Sequence, residues 1–196
     1  MTRESIASLL GSFRPQTPAQ TEHLRAMLAL LAQVPNPCAR SQMHPGHLTA
    51  SGFVLHPTAP KLLLILHAKL GLWLQPGGHF EPQDQDVMGA AIREVTEETG
   101  IVGSQLTVVQ PLCDIDVHAI PANPHKGEPA HRHFDLRVLL RAHTHQVQAG
   151  SDAKAVQWVP LDQLAQVATD DSVRRTAARS AAGLAVGRVP AVGDTP

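Results

Sequence analysis

Three glutamates carry the clearest chemistry in this chain. In the run Arg93-Glu94-Val95-Thr96-Glu97-Glu98 the acids stand at i, i+3 and i+4, so a helix gathers them within an arc of ~100°. Met88, Ile92 and Val95 fall on another side, where they can pack on a sheet. Carboxylates this close repel one another, and a cation among them relieves the repulsion. Dense oxygen donors of this kind suit Mg²⁺ or Mn²⁺. Arg93, one turn before Glu97, can orient a carboxylate by a bidentate contact. Just upstream, Pro76-Gly77-Gly78 reads as a tight turn whose backbone can approach closely and offer a carbonyl to a metal. Asp84 or Asp86 stands where the helix needs an N-cap. The acidic run alone also fits a solvated helix face. Its coincidence with the Gly-Gly pair, a short loop and a terminal Gly100-Ile101 points to a site.

A second set is built from histidine and aspartate. Asp114, Asp116 and His118 alternate on one expected strand, and His131, His133 and Asp135 on the next, so each trio shares a face. An antiparallel hairpin across 119–130 in one register sets 118 against 131, 116 against 133 and 114 against 135. Asp116 then pairs with His133, while Phe134, Leu136 and Val138 face a core. Two readings stay open: a polar wall beside the metal site with room for an extra metal, or a hydrogen-bonded strand face. Register across so long a loop is not set by sequence. His79, next to the Gly-Gly pair, is placed by its loop as a substrate or metal contact. His23, His44, His56, His67, His143 and His145 read as surface or packing residues.

The elements that must position these groups follow from periodicity and punctuation. Residues 3–12 and 18–33 read as helices, the second capped by Thr17 with Pro18 in the first turn and Gln20 completing a capping box. Pro35–Pro45 reads as a linker. His47–His56 and Lys61–His67 read as a strand pair. Asp86–Thr99 reads as a helix stopped by Gly100. Gln105–Ile120 holds one long or two short strands, Ala130–Ala142 another, and Ala155–Val159 a short one. Helices are expected from about Leu161 to Val167 and over Ser172–Val186. A helix flanked by strands on both sides predicts a mixed sheet packed by helices, an α/β (α+β) class.

The chain has 196 residues, 43% apolar and 17% charged, with a formal net charge of −1. That balance suits one compact domain with an appendage. It excludes a global basic field for nucleic acid or anionic membrane, so phosphate must be handled by a local device. Four Phe, two Trp and no Tyr exclude a broad stacking platform for single strands. Cys38 and Cys113 form no CxxC, which excludes a zinc ribbon or thioredoxin-type site, and they fit a reducing compartment. No basic segment followed by a long apolar run opens the chain, and Leu62–Leu66 is far short of the ~20 residues of a membrane span. The expectation is a soluble cytoplasmic protein.

Gly78 through Ile101 resembles the signature of the Nudix hydrolases: Gly, five residues, Glu, seven residues, Arg-Glu, an aliphatic, any residue, Glu-Glu, any residue, Gly, an aliphatic. Residues 93–101 match its second half at every fixed position. The first half is one residue longer here and lacks the early Glu. Counting forward from Gly78 puts Asp84 in its place, and counting back from Arg93 puts Gln85 there. The likeness covers residues 46–168, and Trp158-Val159-Pro160-Leu161-Asp162-Gln163-Leu164 resembles a strand-to-helix segment common in the family.

The resemblance implies an α/β/α sandwich around a mixed sheet over residues 46–190. A helical extension and linker (1–45) precede it, and a tail (191–196) follows. It implies divalent-metal-dependent hydrolysis of a nucleoside diphosphate linked to another moiety, with water attacking a diphosphate phosphorus. Carried over, Glu97 and Glu98 are metal ligands, Glu94 a ligand or base, the Gly77 carbonyl a further ligand, and Arg93 orients the carboxylates around Mg²⁺ or Mn²⁺. Glu128 is a candidate for a base on a distant loop. His79, Phe80, His131, His133 and Asp135 are candidate substrate contacts. The missing tyrosine removes a residue that marks some dinucleoside polyphosphate hydrolases of the family. Two alternatives share the fold: a non-catalytic nucleotide sensor, and an isopentenyl-diphosphate-isomerase-like enzyme needing a reactive thiol, for which Cys113 is the candidate. The expected partner is a small nucleoside diphosphate derivative, with no nucleic acid and no membrane. Residues 1–45 have two open roles, a cap over the site or a contact in a homodimer.

Overall fold

The computed structural model describes residues 1–150 and 153–185. The expected tail at 191–196 and the end of the last helix at Val186 lie outside the described residues. Helices α1 (Arg3–Ser12) and α2 (Pro18–Gln33) sit where the pattern puts them, capped by the Thr2 and Thr17 hydroxyls. Gln20 departs from the capping-box expectation. Its Oε1 accepts from the Gln16 N–H at 2.7 Å, and its Nε2 donates to Asp114 at 2.7 Å. A residue read as a local cap is thus a buried tie between α2 and a strand far along the chain.

The strands are β1 (Gly46–Leu55), β2 (Lys61–His67), β3 (Trp73–Leu74), β4 (Gly77–His79), β5 (Leu106–Ile120), β6 (His131–Ala142) and β7 (Ala153–Pro160). Helix α3 (Val87–Thr99) follows β4 and α4 (Asp171–Ala185) follows β7. The described residues build one seven-stranded mixed sheet with the path β3-β2-β1-β6-β5, β4 pairing β1 and β7 pairing β2. The one parallel pair is β1 with β6, aligned from Gly46↔Arg132 to Leu55↔Arg141.

Three local expectations are corrected. Gly77-Gly78 is not a turn but part of β4, paired as Ser51↔Gly77 and Ala50↔Gly78. Leu161–Gln166 is a 3-10 turn, not an α-helix, in keeping with so short a segment. The β5–β6 hairpin is shifted by two residues, with His118 opposite His133, Asp116 opposite Asp135 and Asp114 opposite Arg137. The loop tip explains the shift: Asn123 and Glu128 form a bridge with Asn123 N–H donating to the Glu128 carbonyl at 2.8 Å. Pairing that starts there leads straight to Ile120↔His131 and His118↔His133. A shift of two keeps every side chain on its expected face.

The sheet carries helices on both faces. On one, Leu48, Ala50, Val54, Leu136, Val138 and Leu140 pack with Val87, Ala90, Ala91 and Val95 of α3. Ile6, Leu10, Phe13, Met27, Leu30 and Leu31 of the N-terminal segment join this core. On the other, Phe53, Leu55, Leu62, Leu64 and Leu139 pack with Val173 and Ala177 of α4. Each such side chain, fully buried, contributes about 1.5–3 kcal/mol. Helices α1 and α2 also lie against β5, covering what would otherwise be an open sheet edge.

Candidate active site

Helix α3 is defined at both ends. The Asp86 side chain accepts the Gly89 N–H at 2.7 Å, and Gly100 closes the helix at φ 73°, a conformation that favours glycine. With Val87, Ala90, Ala91 and Val95 pressed on the sheet, the helix turns Arg93, Glu94, Glu97 and Glu98 toward β4 and solvent. Glycine at 78 leaves room for Glu94, because a Cβ there would lie 2.8 Å from both Glu94 carboxylate oxygens and push that flexible side chain aside. The Gly77 N–H donates to Glu98 Oε2 at 2.9 Å.

Arg93 organises the acids. It donates to both Asp84 oxygens at 3.1 and 3.0 Å, to Glu94 Oε1 at 3.0 Å, to Glu97 Oε2 at 3.2 Å and to the His79 carbonyl at 2.7 Å. Of the acids before the helix, Asp84 is the one that meets Arg93, and Asp86 is the one that caps α3. Burial works against the Asp84 charge, yet bonds from Arg93 and the Glu81 N–H hold its carboxyl below the usual range. At Glu94 burial dominates over Arg93, and the carboxyl sits above the ordinary glutamate value. Glu97 keeps 54% of its side chain exposed.

The donor set fits a hard divalent ion. Carboxylates outnumber the one guanidinium among them, a backbone strand lies alongside, and Gly78 leaves room for Glu94 to reach over it. A trio of metal-type ligands of a different kind lies elsewhere. Among the described residues, His47, His79 and His133 form the group of metal-type ligands within 4.8 Å of one another.

The remaining sequence-derived candidates divide. His79, His131 and His133 come together, with ring centroids 5.1 Å apart for His79–His133 and 5.2 Å for His131–His133. Burial first, then neighbouring positive groups, lowers His79 to about 4 and His133 to about 2. Phe80 is buried in the α3-side core, so its ring is packing rather than a base platform. Asp135 is buried in the sheet, accepting from Thr49, Ser51 and Arg137 at 3.1, 2.7 and 2.9 Å. Glu128 lies 3.5 Å from Arg40 in the loop that precedes β6. Two residues escape the sequence reading. His47 joins the histidines through parallel pairing with β6, and Arg137 binds Asp135 from inside an apolar strand. Neither signal is local.

The chain matches the NUDIX domain family model over residues 46–180. It is similar to an m7GpppN-mRNA hydrolase, NUDT17, of Danio rerio, 31% identical over 121 residues, covering 56% of this chain and 40% of that protein. A bis(5'-nucleosyl)-tetraphosphatase of Rattus norvegicus is 27% identical over 118 residues, covering 58% and 74%. The chain thus spans less than half the length of the Danio rerio relative. Among solved structures, a C. elegans Ap4A hydrolase binary complex superposes with a TM-score of 0.55 at 21% identity, covering 71% of this chain and 98% of that one; this likeness is one of fold. The acid-bearing helix against its Gly-Gly strand, the α/β/α layers and the family match over residues 46–180 converge: the chain belongs to the NUDIX family.

Proposed function

We propose that this protein hydrolyses a nucleoside diphosphate linked to another moiety, in a divalent-metal-dependent reaction in which water attacks a diphosphate phosphorus. The observation that carries the reading is the acid cluster itself: Glu94, Glu97 and Glu98 brought against β4 by Arg93 and the Gly77 N–H. Glu97, Glu98, Glu94 and the Gly77 carbonyl would hold Mg²⁺ or Mn²⁺. Once bound, the ion supplies charge neutralisation and positioning of phosphate oxygens. Arg93 keeps the carboxylates oriented and is itself braced by Asp84. Glu94 is a ligand or the base that takes the proton from water. It is better placed for this than Glu128, which pairs with Arg40.

Cys113 is buried, and burial pushes its thiol up to about 12, which supports hydrolysis over an isomerase needing a reactive thiol. Cys38 and Cys113 are both free, which fits a cytoplasmic setting; no helix of the described residues is long and apolar enough to cross a membrane. The test is a screen of nucleoside diphosphate derivatives, including a dinucleoside polyphosphate and a cap dinucleotide, with Mg²⁺ or Mn²⁺. The expected result is phosphate or nucleoside monophosphate release that a chelator abolishes. Tight nucleotide binding with no turnover would reject the enzyme in favour of a sensor.

A further inference from the structure

A second cluster lies apart from the glutamates. Gly78 faces Glu94 of α3, whereas its neighbour His79 points to the opposite side of β4. Register brings partners to it there. β4 pairs with β1 as Thr49↔His79, and β1 pairs with β6 as His47↔His133. Three adjacent strands thus deliver one imidazole each to one patch of the sheet. The ring centroids are 5.0 Å apart for His47–His79, 4.8 Å for His47–His133 and 5.1 Å for His79–His133.

The hydrogen bonding of His47 defines what the patch presents. His47 is fully buried, and its Nδ1 lies 3.0 Å from the Gln42 carbonyl. A carbonyl accepts only, so Nδ1 carries the proton and Nε2 carries a lone pair. That Nε2 is buried with no hydrogen-bond partner. Leaving such an atom unpaired costs about 1–3 kcal/mol, and an imidazole held through its other N–H by a backbone carbonyl is the arrangement found at metal-ligating histidines. His131 repeats it at the edge of the cluster, with Nδ1 2.8 Å from the Pro129 carbonyl and its ring stacked 5.1 Å from His47.

We propose that His47, His79 and His133 form a binding site for a zinc-class divalent cation, distinct from the carboxylate box. Three neutral imidazoles suit Zn²⁺, Co²⁺ or Ni²⁺ rather than Mg²⁺. Three protein ligands leave a fourth position open for water or a substrate oxygen. Their ligand atoms lie within 4.8 Å of one another. Zinc–imidazole bonds of about 2.0–2.1 Å call for nitrogens roughly 3.4 Å apart, so a movement on the order of 1 Å per ring closes the site.

The test uses the full chain, stripped of metal and given one equivalent of Co²⁺ or Zn²⁺. The cobalt form should show visible bands stronger than those of the hexaaquo ion. Zinc X-ray absorption should show a first shell with three imidazole nitrogens. His133→Gln should weaken cobalt binding on the order of 100-fold or more while the metal-free variant keeps its circular dichroism. Glu97→Gln should leave the cobalt bands unchanged. The proposal is overturned by no cobalt binding, by an all-oxygen zinc shell, or by bands lost in Glu97→Gln and kept in His133→Gln. Should His133→Gln fail to fold, the zinc spectrum of the unaltered chain decides alone.

Discussion

Arg93 and Arg137 each gather three acids, and the chain uses the two gatherings in opposite ways. Arg137 is 1% exposed and meets Asp135 at 2.9 Å, Asp114 at 3.5 Å and Asp116 at 3.6 Å. Arg175 adds a second positive charge on Asp114 and Asp116, while Ser172 and Thr176 take up the remaining guanidinium donors. Gln20 and the Thr176 hydroxyl complete Asp114. Every carboxylate there has an arginine partner within the protein. Arg93 is 16% exposed and stands alone among Asp84, Glu94 and Glu97, with Glu98 one turn on from Glu94. The larger acid surplus at the exposed cluster is what a cation can answer; the buried cluster, its carboxylates hydrogen-bonded within the protein, is a lock between β5, β6 and α4.

The sharpest way to break this contrast is to remove each hub's key member. Arg137→Met strands buried aspartates, so unfolding by urea should show a loss of about 3–5 kcal/mol. A loss under 1 kcal/mol would deny the lock. Glu97→Gln should do the reverse: metal-dependent turnover falls on the order of 10²–10³-fold, while the melting temperature barely moves, because Glu97 is half-exposed. Next comes Gly78→Ala. The new methyl meets the Glu94 carboxylate at 2.8 Å, so that side chain must swing aside, and turnover should fall with metal affinity while stability changes little. Normal activity there would mean that Glu94 is not held over β4.

The smallest effect is a slope. Burial favours the neutral form of Asp116, but bonds from His118 and Arg175 and the charge of Arg137 outweigh it, holding the carboxyl well below the usual range. Asp135 and Asp114 face the same guanidinium, and His23 of α2 lies 3.7 Å from Asp116. With a depressed native value, the stabilisation is complete above the unfolded aspartate value near pH ~4 and is lost as pH falls below it. Stability should therefore rise with pH by up to about one proton's slope in that acidic window. Asp116→Asn should flatten it, and an unchanged slope would remove Asp116 from the lock.

The box was legible because its logic is local. The spacing of Glu94, Glu97 and Glu98, the Asp86 cap and the Gly100 stop all act within one helix, and the fold class followed from helices alternating with strands. What sequence could not carry is pairing between distant segments. Gly77-Gly78 looks like a turn until β1, far earlier in the chain, supplies the strand beside it through Ser51 and Ala50. The β5–β6 register depended on a bridge at the tip of a loop. His47 joins His133 through a parallel pair that no local pattern announces. Arg137 hides in the apolar run Asp135-Leu136-Arg137-Val138-Leu139, where only three buried aspartates explain a charge.

The central claim is that the acids on α3 drive attack of water on phosphorus. Hydrolysis in heavy-oxygen water, with Mg²⁺ or Mn²⁺ and the best nucleoside diphosphate derivative from the screen, tests it most directly in the unaltered protein and in Glu97→Gln. The account predicts the label on a phosphoryl group of one product, and a rate in Glu97→Gln lower on the order of 10²–10³-fold. Label on a non-phosphorus atom, or unchanged turnover in a folded Glu97→Gln protein, would contradict it.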